Sequence, residues 1–280
     1  MDTFEKVGLS LRSVMYDIIK ALYGRSYMLI EVKTDILQEK IKLYTHYEGL
    51  QVIDELLLLG EYAKVFELKP KTVIDIGAHI GVFTVMTGKY IETTHKKGLI
   101  LAVEPMTINY IPLLANISIN KLHNVIPIKA AVAPTEGTET LSWIGVKEQV
   151  KTITMSHLLN LANSMRHKEI DVVKLDIEGA ELEILREGAD WLKHVKAVVM
   201  ELHPATYGYK GVKEIISTLS RNGFVVDYIS KEIDTRRALQ KWLYYINPNP
   251  PWLILALLKT LVTIFRNNIK INYLFAKKIQ

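Results

Sequence analysis

The chain has 280 residues, of which 49% are hydrophobic and 23% are charged, so it can bury the core of one or two globular domains. It contains no cysteine, which excludes disulfide bonds, thiolate nucleophiles and zinc sites built from thiolates. The net charge of +5 equals the charge of residues 251–280 alone, so the remainder is formally neutral and offers no extended basic face for nucleic acid.

The N-terminal region is predicted to form a helix followed by two short strands. Between Phe4 and Leu22, apolar residues recur at helical spacing among acidic residues, which is typical of an amphipathic helix rather than a signal peptide. Strands are expected over 27–33 and 41–47. We therefore assign residues 1–50 to an N-terminal extension and 51–247 to the main domain, which opens with a helix over 52–66.

Strands alternate with helices through the main domain, which predicts a parallel sheet covered on both faces. The late strands 224–229 and 241–246 indicate an antiparallel edge. Between them and the N-terminal extension, the predicted elements in chain order are strand 72–76, helix 82–90, strand 99–103, helix 108–120, strand 125–131, an antiparallel return strand 138–144, helix 156–165 with Ser156 as its cap, strand 171–175, helix 181–187, strand 195–200 and helix 212–221.

A glycine turn joins the first buried strand to its helix in the pattern Asp75-x-Gly77-x-x-x-Gly81. Gly77 allows a positive φ, Gly81 is expected to let helix and strand approach closely, and the turn brings backbone N–H groups to a ligand. His79 stands where a dinucleotide-binding loop carries its middle glycine, which is needed for contact with a pyrophosphate. The loop therefore suits S-adenosylmethionine (SAM), and an ordinary strand-to-helix turn is the alternative.

Glu104 ends the second parallel strand, about twenty residues after the glycine turn, where an acidic residue can bind ribose hydroxyls. Its alternative role is that of a solvated carboxylate at a strand end. Asp176, Glu178, Glu201 and His203 follow the fourth and fifth strands, and the topology brings all of these groups to one edge of the sheet. Such an edge suits a ligand with positive charge, and SAM carries a sulfonium and an ammonium.

Methyl transfer to a hydroxyl needs a base, and His203 or a carboxylate with a raised pKa could serve. A structural histidine bonded to backbone is the alternative for His203, and a solvated helix face is expected for Glu181 and Glu183. Oxygen ligands with one imidazole could also bind a divalent metal, but regular ligand spacing is missing and no metal is assigned.

Five segments carry a family resemblance: 73–84, Ala102-Val-Glu-Pro105, Asn109 with Leu113-Leu114 and Asn116, 171–185 with Asp176-Ile-Glu-Gly-Ala-Glu181, and Val199-Met-Glu-Leu-His-Pro204. Through them the sequence resembles the FkbM family of SAM-dependent methyltransferases over about residues 61–229. The resemblance implies a class I, Rossmann-like, doubly wound α/β fold with a seven-stranded, mostly parallel sheet and one antiparallel strand. It also implies SAM as cofactor and O-methylation, commonly of sugar or polyketide hydroxyls.

Carried over by position, Asp176 is expected to lie against the methionine end of SAM. Two positions depart from the family pattern: Met155-Ser156 stands where Leu-Asp is common, and Ala130-Ala131 ends the third strand without an acid, so adenine would be held by backbone and apolar groups. The cofactor-binding candidates are Asp75, Gly77, His79, Gly81, Glu104 and Asp176, and the catalytic candidates are His203, Asp176 and Glu201, with His203 as the expected base.

Residues 248–280 are expected to form a basic amphipathic tail. Its apolar run from Trp252 to Phe265 is shorter than the roughly 20 residues that cross a bilayer. A helix packed on the domain or at a dimer contact is favoured, and a peripheral contact of 252–278 with the inner membrane surface of a cytoplasmic protein is the alternative.

Together these patterns predict a SAM-dependent O-methyltransferase that acts on a hydroxyl of a small molecule or glycan and binds no nucleic acid. Two other functions stay open at this stage, an RNA methyltransferase on the same fold and a non-catalytic membrane-associated scaffold. The sequence specifies neither the acceptor nor the oligomeric state.

Overall fold

A computed structural model describes residues 27–33, 36–37, 40–46, 49–53, 62–95, 97–143, 145–186, 188–232 and 270–279. The predicted N-terminal helix, the strand at 241–246 and the run 252–265 lie outside these residues. The chain divides into two units, and the second comprises residues 62–230 and 272–280. None of the helices in the described ranges combines the length and apolar character that a bilayer crossing requires.

The first unit contains the two short strands predicted near the N-terminus. They are β1 (Met28–Val32) and β2 (Ile41–Thr45), which pair antiparallel, and the short helix α1 (Gly49–Ile53) follows. Along β2, Ile41, Leu43 and Thr45 are buried and alternate with more exposed residues, as a strand with one covered face requires.

The second unit alternates strands and helices as the sequence predicts. Its elements in chain order are α2 (Lys64–Glu67), β3 (Thr72–Ile76), α3 (Val82–Thr94), β4 (Leu99–Val103), α4 (Thr107–Ile119), β5 (Val125–Ile128), β6 (Ala131–Val132), β7 (Gly137–Trp143), β8 (Val146–Ile153), α5 (Met155–Ser164), β9 (Ile170–Leu175), α6 (Glu181–Arg186), a 3₁₀ helix (Ala189–His194), β10 (Val195–Glu201), α7 (Pro204–Arg221), β11 (Phe224–Glu232) and β12 (Lys270–Lys278).

Seven of these strands form the main sheet in the order β11-β12-β10-β9-β3-β4-β5. Strands β10, β9, β3, β4 and β5 pair in parallel, and β12 pairs antiparallel with β10. Every residue of β3 and β4 is buried, because helices cover both faces of a parallel sheet. The predicted mostly parallel, seven-stranded α/β sheet with one antiparallel strand is confirmed.

The C-terminal strand differs from the sequence expectation. Residues 270–278 were assigned to a basic tail, but they form β12 within the main sheet, and Tyr273, Leu274, Phe275 and Ala276 are buried there. This part of the segment considered for membrane contact is therefore a strand and not an amphipathic helix. Because β12 pairs with β10, which is distant along the chain, local sequence periodicity did not reveal it.

The region after β5 also differs in detail. The predicted strand 125–131 stops at Ile128, and the chain then enters a separate three-stranded sheet in the order β6-β8-β7. The predicted return strand is β7, which pairs antiparallel with β8, a strand that the sequence analysis missed. The cap of α5 is Thr154, whose side chain accepts the N–H of His157, and not Ser156.

Candidate active site

The carboxyl ends of the parallel strands bring the predicted acidic residues to one edge of the main sheet. Asp75 is the penultimate residue of β3, Glu104 follows β4, Asp176 follows β9, and Glu201 ends β10. His203 comes next and occupies the N-cap position of α7. The predicted gathering of these strand ends follows from the parallel pairing of β4, β3, β9 and β10.

The glycine loop, residues 77–81, is tied to the protein by its own N–H groups. The amides of Gly77 and Ala78 both donate to the carbonyl of Val103, at 3.0 and 2.9 Å, and that of His79 donates to Oε2 of Glu104 at 2.9 Å. The amide of Gly81 donates to the carbonyl of Ala78 at 2.8 Å. These amides hold the loop in place rather than pointing free donors at a ligand, which differs from the sequence expectation.

Both glycines of the turn are required by packing between protein segments. Gly77 has a φ of +75°, and a Cβ there would lie 1.8 Å from the carbonyl oxygen of Asp176. Gly81 has a φ of +85°, and a Cβ there would lie 2.5 Å from Cδ1 of Leu113 in α4. The close approach at Gly81 is therefore between two helices, and not between helix and strand as the sequence analysis expected.

Glu104 is 4% exposed and joins the glycine loop to the start of α4. Its Oε1 accepts the N–H of Met106 at 2.9 Å and the side-chain amide of Asn109 at 3.3 Å, and its Oε2 accepts from His79. Burial raises the pKa of Glu104 to about 7, although the amides of Met106 and His79, Asn109 and the charge of Lys174 oppose the rise. A carboxylate has about four acceptor positions, so these three donors leave capacity for one ligand hydroxyl.

A buried lysine, which the sequence analysis missed, lies between two of the predicted acidic residues. Lys174 is the neighbour of Asp75 in the β3–β9 register, and its Nζ lies 3.3 Å from Asp75 Oδ1 and 3.3 Å from Asp176 Oδ2. Burial opposes the charge of Lys174, but the two carboxylates outweigh it and raise the pKa of its ammonium above the ordinary value. Asp75 is fully buried, and its Oδ2 accepts the hydroxyl of Thr84 at 2.5 Å.

His203 lies against two carboxylates of the Asp176–Glu181 segment. Its Nδ1 is 3.1 Å from Oε1 of Glu181, and its Nε2 is 3.5 Å from Oε2 of Glu178. Burial lowers the pKa of His203, but the contact with Glu181 and the charges of Glu178 and Asp176 outweigh burial and raise it above its ordinary value. The ring is therefore oriented by carboxylates, in the arrangement that holds a general base and stabilises its protonated form.

The burial of Glu181 differs from the sequence expectation. This residue was expected, with Glu183, on a solvated helix face, and Glu183 is exposed, but Glu181 is fully buried at the start of α6. Its Oε1 also accepts the backbone N–H groups of Ile177 and Gly179, at 3.1 and 3.3 Å. Glu181 therefore shapes the loop that follows β9 and fixes the ring of His203.

Three of the edge residues could also hold a metal ion. Asp176, Glu201 and His203 each offer a ligand atom, and these atoms lie within 4.8 Å of one another. Two of the three already have charged partners, since Asp176 lies beside Lys174 and His203 lies beside Glu181. A metal ion would have to compete with both ion pairs.

The three-stranded sheet contributes one residue beside the glycine loop and one at the start of α4, and no sequence pattern indicated either. The Trp143 ring in β7 contacts that of His79 edge to face, with centroids 6.0 Å apart. Glu148 in β8 accepts the N–H and the hydroxyl of Thr107, at 2.8 and 2.5 Å, and pairs with Lys129 at 2.6 Å. Despite partial burial, these contacts lower the pKa of Glu148 to about 2, so its carboxylate anchors this sheet to the first turn of α4.

Comparison with known proteins gives one family match and several distant likenesses. Residues 75–226, more than half of the chain, match the model of the methyltransferase FkbM domain. A curated UDP-3-O-acyl-N-acetylglucosamine deacetylase from Lawsonia intracellularis (strain PHE/MN1-00) is 31% identical over 118 residues, which are 38% of this chain and 36% of that protein. The chain therefore spans little more than a third of this relative's length.

Among solved structures, a putative O-methyltransferase from Klebsiella pneumoniae is 9% identical with a TM-score of 0.46, covering 100% of this chain and 91% of its own. Precorrin-6y C5,15-methyltransferase from Geobacter metallireducens GS-15 is 13% identical with a TM-score of 0.44, covering 78% and 86%. M. jannaschii TYW2 in complex with AdoMet is 15% identical with a TM-score of 0.40, covering 85% and 83%.

Proposed function

Because the chain belongs to the FkbM family of methyltransferases, its cofactor is SAM, and we propose that it methylates a hydroxyl oxygen of a glycan or small molecule. The observation that carries the proposal is the contact of His203 with the buried carboxylate of Glu181 at the edge where β9 and β10 end. A neutral hydroxyl is a weak nucleophile, so its methylation benefits from a base that removes its proton. A paired, half-buried histidine supplies that base.

The fit of SAM to this edge is electrostatic. Asp75, Asp176, Glu178, Glu181 and Glu201 exceed the positive charge that Lys174 and His203 supply. A site with excess carboxylate favours a cationic ligand over its neutral counterpart. Glu104 retains acceptor capacity for a ribose hydroxyl, and Asp176, which is partly exposed beside Lys174, suits the ammonium at the methionine end.

When bound, SAM supplies an electrophilic methyl group on a sulfonium. In the proposed mechanism, Nε2 of His203 would receive the proton of the acceptor hydroxyl as the oxygen bonds to the methyl carbon, whose bond to sulfur breaks and leaves a neutral thioether. Glu181 at Nδ1 then stabilises the imidazolium, as a buried carboxylate does for a catalytic histidine. Asp176 and Glu201 flank His203 and orient the reactants, since their oxygen atoms lie within 4.8 Å of its ring nitrogen.

The acceptor can be sought directly with SAM that carries a labelled methyl group. Purified protein is incubated with labelled SAM and fractionated cell extract, and also with UDP-linked amino sugars, which the name of the Lawsonia relative adds to the panel. We expect label in O-methyl groups of a glycan or small molecule, identified by NMR and mass spectrometry, and none with His203→Ala. Label found in N-methyl groups, or lost on ribonuclease treatment, would contradict the proposal.

A further inference from the structure

We propose that Lys174 is a positioning residue of this methyltransferase, whose ammonium fixes the glycine loop to the end of β9 and holds Asp176 ready for the cofactor. The inference rests on the proposed cofactor site at this edge of the sheet. It assigns a role to a buried charge that the reaction itself does not use.

The contacts of Lys174 join three separate parts of the edge. Its Nζ lies 3.3 Å from Asp75 at the end of β3 and 3.3 Å from Asp176 after β9. It also donates to the carbonyl of Gly77 in the glycine loop at 3.0 Å. The ammonium therefore makes one hydrogen bond, to Gly77, and two ion pairs, with Asp75 and Asp176. The ring of Tyr62, with its centroid 5.7 Å from Nζ, covers the ammonium from another side.

Two hydrogen bonds fix the peptide between Gly77 and Ala78, one at each end. Its carbonyl accepts from Lys174, and its N–H donates to Val103. The next strand end is locked to the same place, because the N–H of Asp176 donates to the carbonyl of Ile76 at 3.1 Å. Lys174 thereby sets the orientation of Asp176 relative to the loop that starts the cofactor site.

Folding alone gives little reason for a lysine at this position. Val172, Val173 and Leu175 in the same strand are apolar and fully buried. Lys174 is charged, yet it is only 2% exposed. Burying a charged group is costly, and well-packed apolar residues can often replace a buried ion pair without loss of stability. An arrangement of Asp75, Lys174 and Asp176 is better explained by the need for a charged Asp176 in a fixed position at the cofactor edge.

The absence of cysteine from the chain allows a test that separates the charge of Lys174 from its packing. In Lys174→Cys the new thiol is unique, so it can be alkylated in denaturant with 2-bromoethylamine, which restores an ammonium. Alkylation with 1-bromopropane gives a neutral side chain of similar length, and Lys174→Met gives a second neutral form. Wild-type protein carried through the same unfolding and refolding is the reference. Lys196→Met, which removes an exposed lysine of β10 with its two ion pairs, is the control.

Calorimetry then measures the affinity for SAM, and thermal melting reports folding. We expect both neutral forms to bind SAM about tenfold or more weakly than wild type, and the restored ammonium to recover most of that loss. Wild-type affinity in the neutral forms, or equal weakening in the charged and neutral alkylated forms, would overturn the inference. If the neutral forms do not fold, Asp75→Asn/Lys174→Met is compared with Asp75→Asn alone under the same criterion, so that the loss of the Asp75 charge is common to both.

The variant Glu104→Ala distinguishes an error in the role of Lys174 from an error in the proposed location of the cofactor site. Wild-type SAM affinity in Glu104→Ala would show that the cofactor binds elsewhere. Weakened binding in Glu104→Ala, together with unchanged binding in Lys174→Met, would remove only the role of Lys174.

Discussion

Glu181 is fully buried and places Oε1 3.1 Å from Nδ1 of His203, so a helix after β9 orients the histidine that follows β10. The same oxygen accepts two backbone N–H groups of the loop that contains Glu178, and these bonds fix the carboxylate in its position beside the ring. The position of His203 is therefore set by a neighbouring segment, and the ring presents Nε2 toward Glu178 at the sheet edge.

Replacing His203 tests its role as the base. We expect His203→Gln to lower the rate of methyl transfer by about 10² to 10⁴ and to change the affinity for SAM by less than about threefold, because a base acts on the acceptor. Initial rates and calorimetry measure the two effects. His157→Gln, which removes an exposed histidine paired with Glu136, is the matched control. A rate near that of wild type in His203→Gln would exclude this residue as the base.

The pH dependence of the rate gives a separate test of Glu181. His203 must be neutral to accept a proton, and the carboxylates of Glu181, Glu178 and Asp176 raise its pKa above the ordinary value. The rate should therefore rise with pH through that raised pKa. In Glu181→Gln the pKa of His203 should fall, so the rising limb should move to lower pH while the maximal rate decreases. An unchanged limb in this variant would contradict the pairing.

Much of the edge follows from sequence because strand ends are local features. The parallel strands were recognisable as buried apolar runs, and Asp75, Glu104, Asp176 and Glu201 lie where those runs end. Lys174 carried a weaker signal, since a lysine within the apolar run of β9 departs from the composition of a buried strand. Glu181 and Glu148 carried none, because their burial and partners depend on segments brought together only in the folded protein.

The buried carboxyl of Glu104 makes stability depend on pH. Its pKa is about 7 in the folded protein, against an ordinary value of 4.5, so the folded state retains a proton that the unfolded chain releases. This contribution is complete below pH 4.5 and is lost as pH rises through 7, with a total on the order of 3 kcal/mol. Urea unfolding at pH 5 and pH 8 should show a smaller pH dependence for Glu104→Gln than for wild type.

Other groups also titrate in this range, so the comparison between variants decides the outcome. Glu67→Gln, which changes an exposed glutamate in α2, should keep the pH dependence of wild type. If Glu104→Gln and wild type lose stability equally between pH 5 and pH 8, the ionisation of Glu104 is not the source.

Gly77 can be tested against a glycine with nearly the same φ. Gly77 and Gly145 have φ values of +75° and +74°, but a Cβ at Gly77 would lie 1.8 Å from the carbonyl oxygen of Asp176, whereas one at Gly145 meets nothing within 4 Å. We expect Gly145→Ala to cost about 1 to 2 kcal/mol of stability, and Gly77→Ala to cost about 3 to 5 kcal/mol and weaken SAM binding. Equal losses measured by urea unfolding would show that strain alone, without the clash, accounts for both.

Removal of metal ions tests whether Asp176, Glu201 and His203 act directly on the reactants or bind a metal ion. Their ligand atoms lie within 4.8 Å of one another, but Lys174 lies 3.3 Å from Asp176 and Glu181 lies 3.1 Å from His203. Because a divalent cation would have to displace both partners, we expect turnover to remain within about twofold of its initial rate after treatment with EDTA and gel filtration. Loss of turnover that Mg²⁺ or Mn²⁺ restores, but Ca²⁺ or added salt does not, would instead assign these three residues to a metal centre, and His203 would then act as a ligand and not as the base.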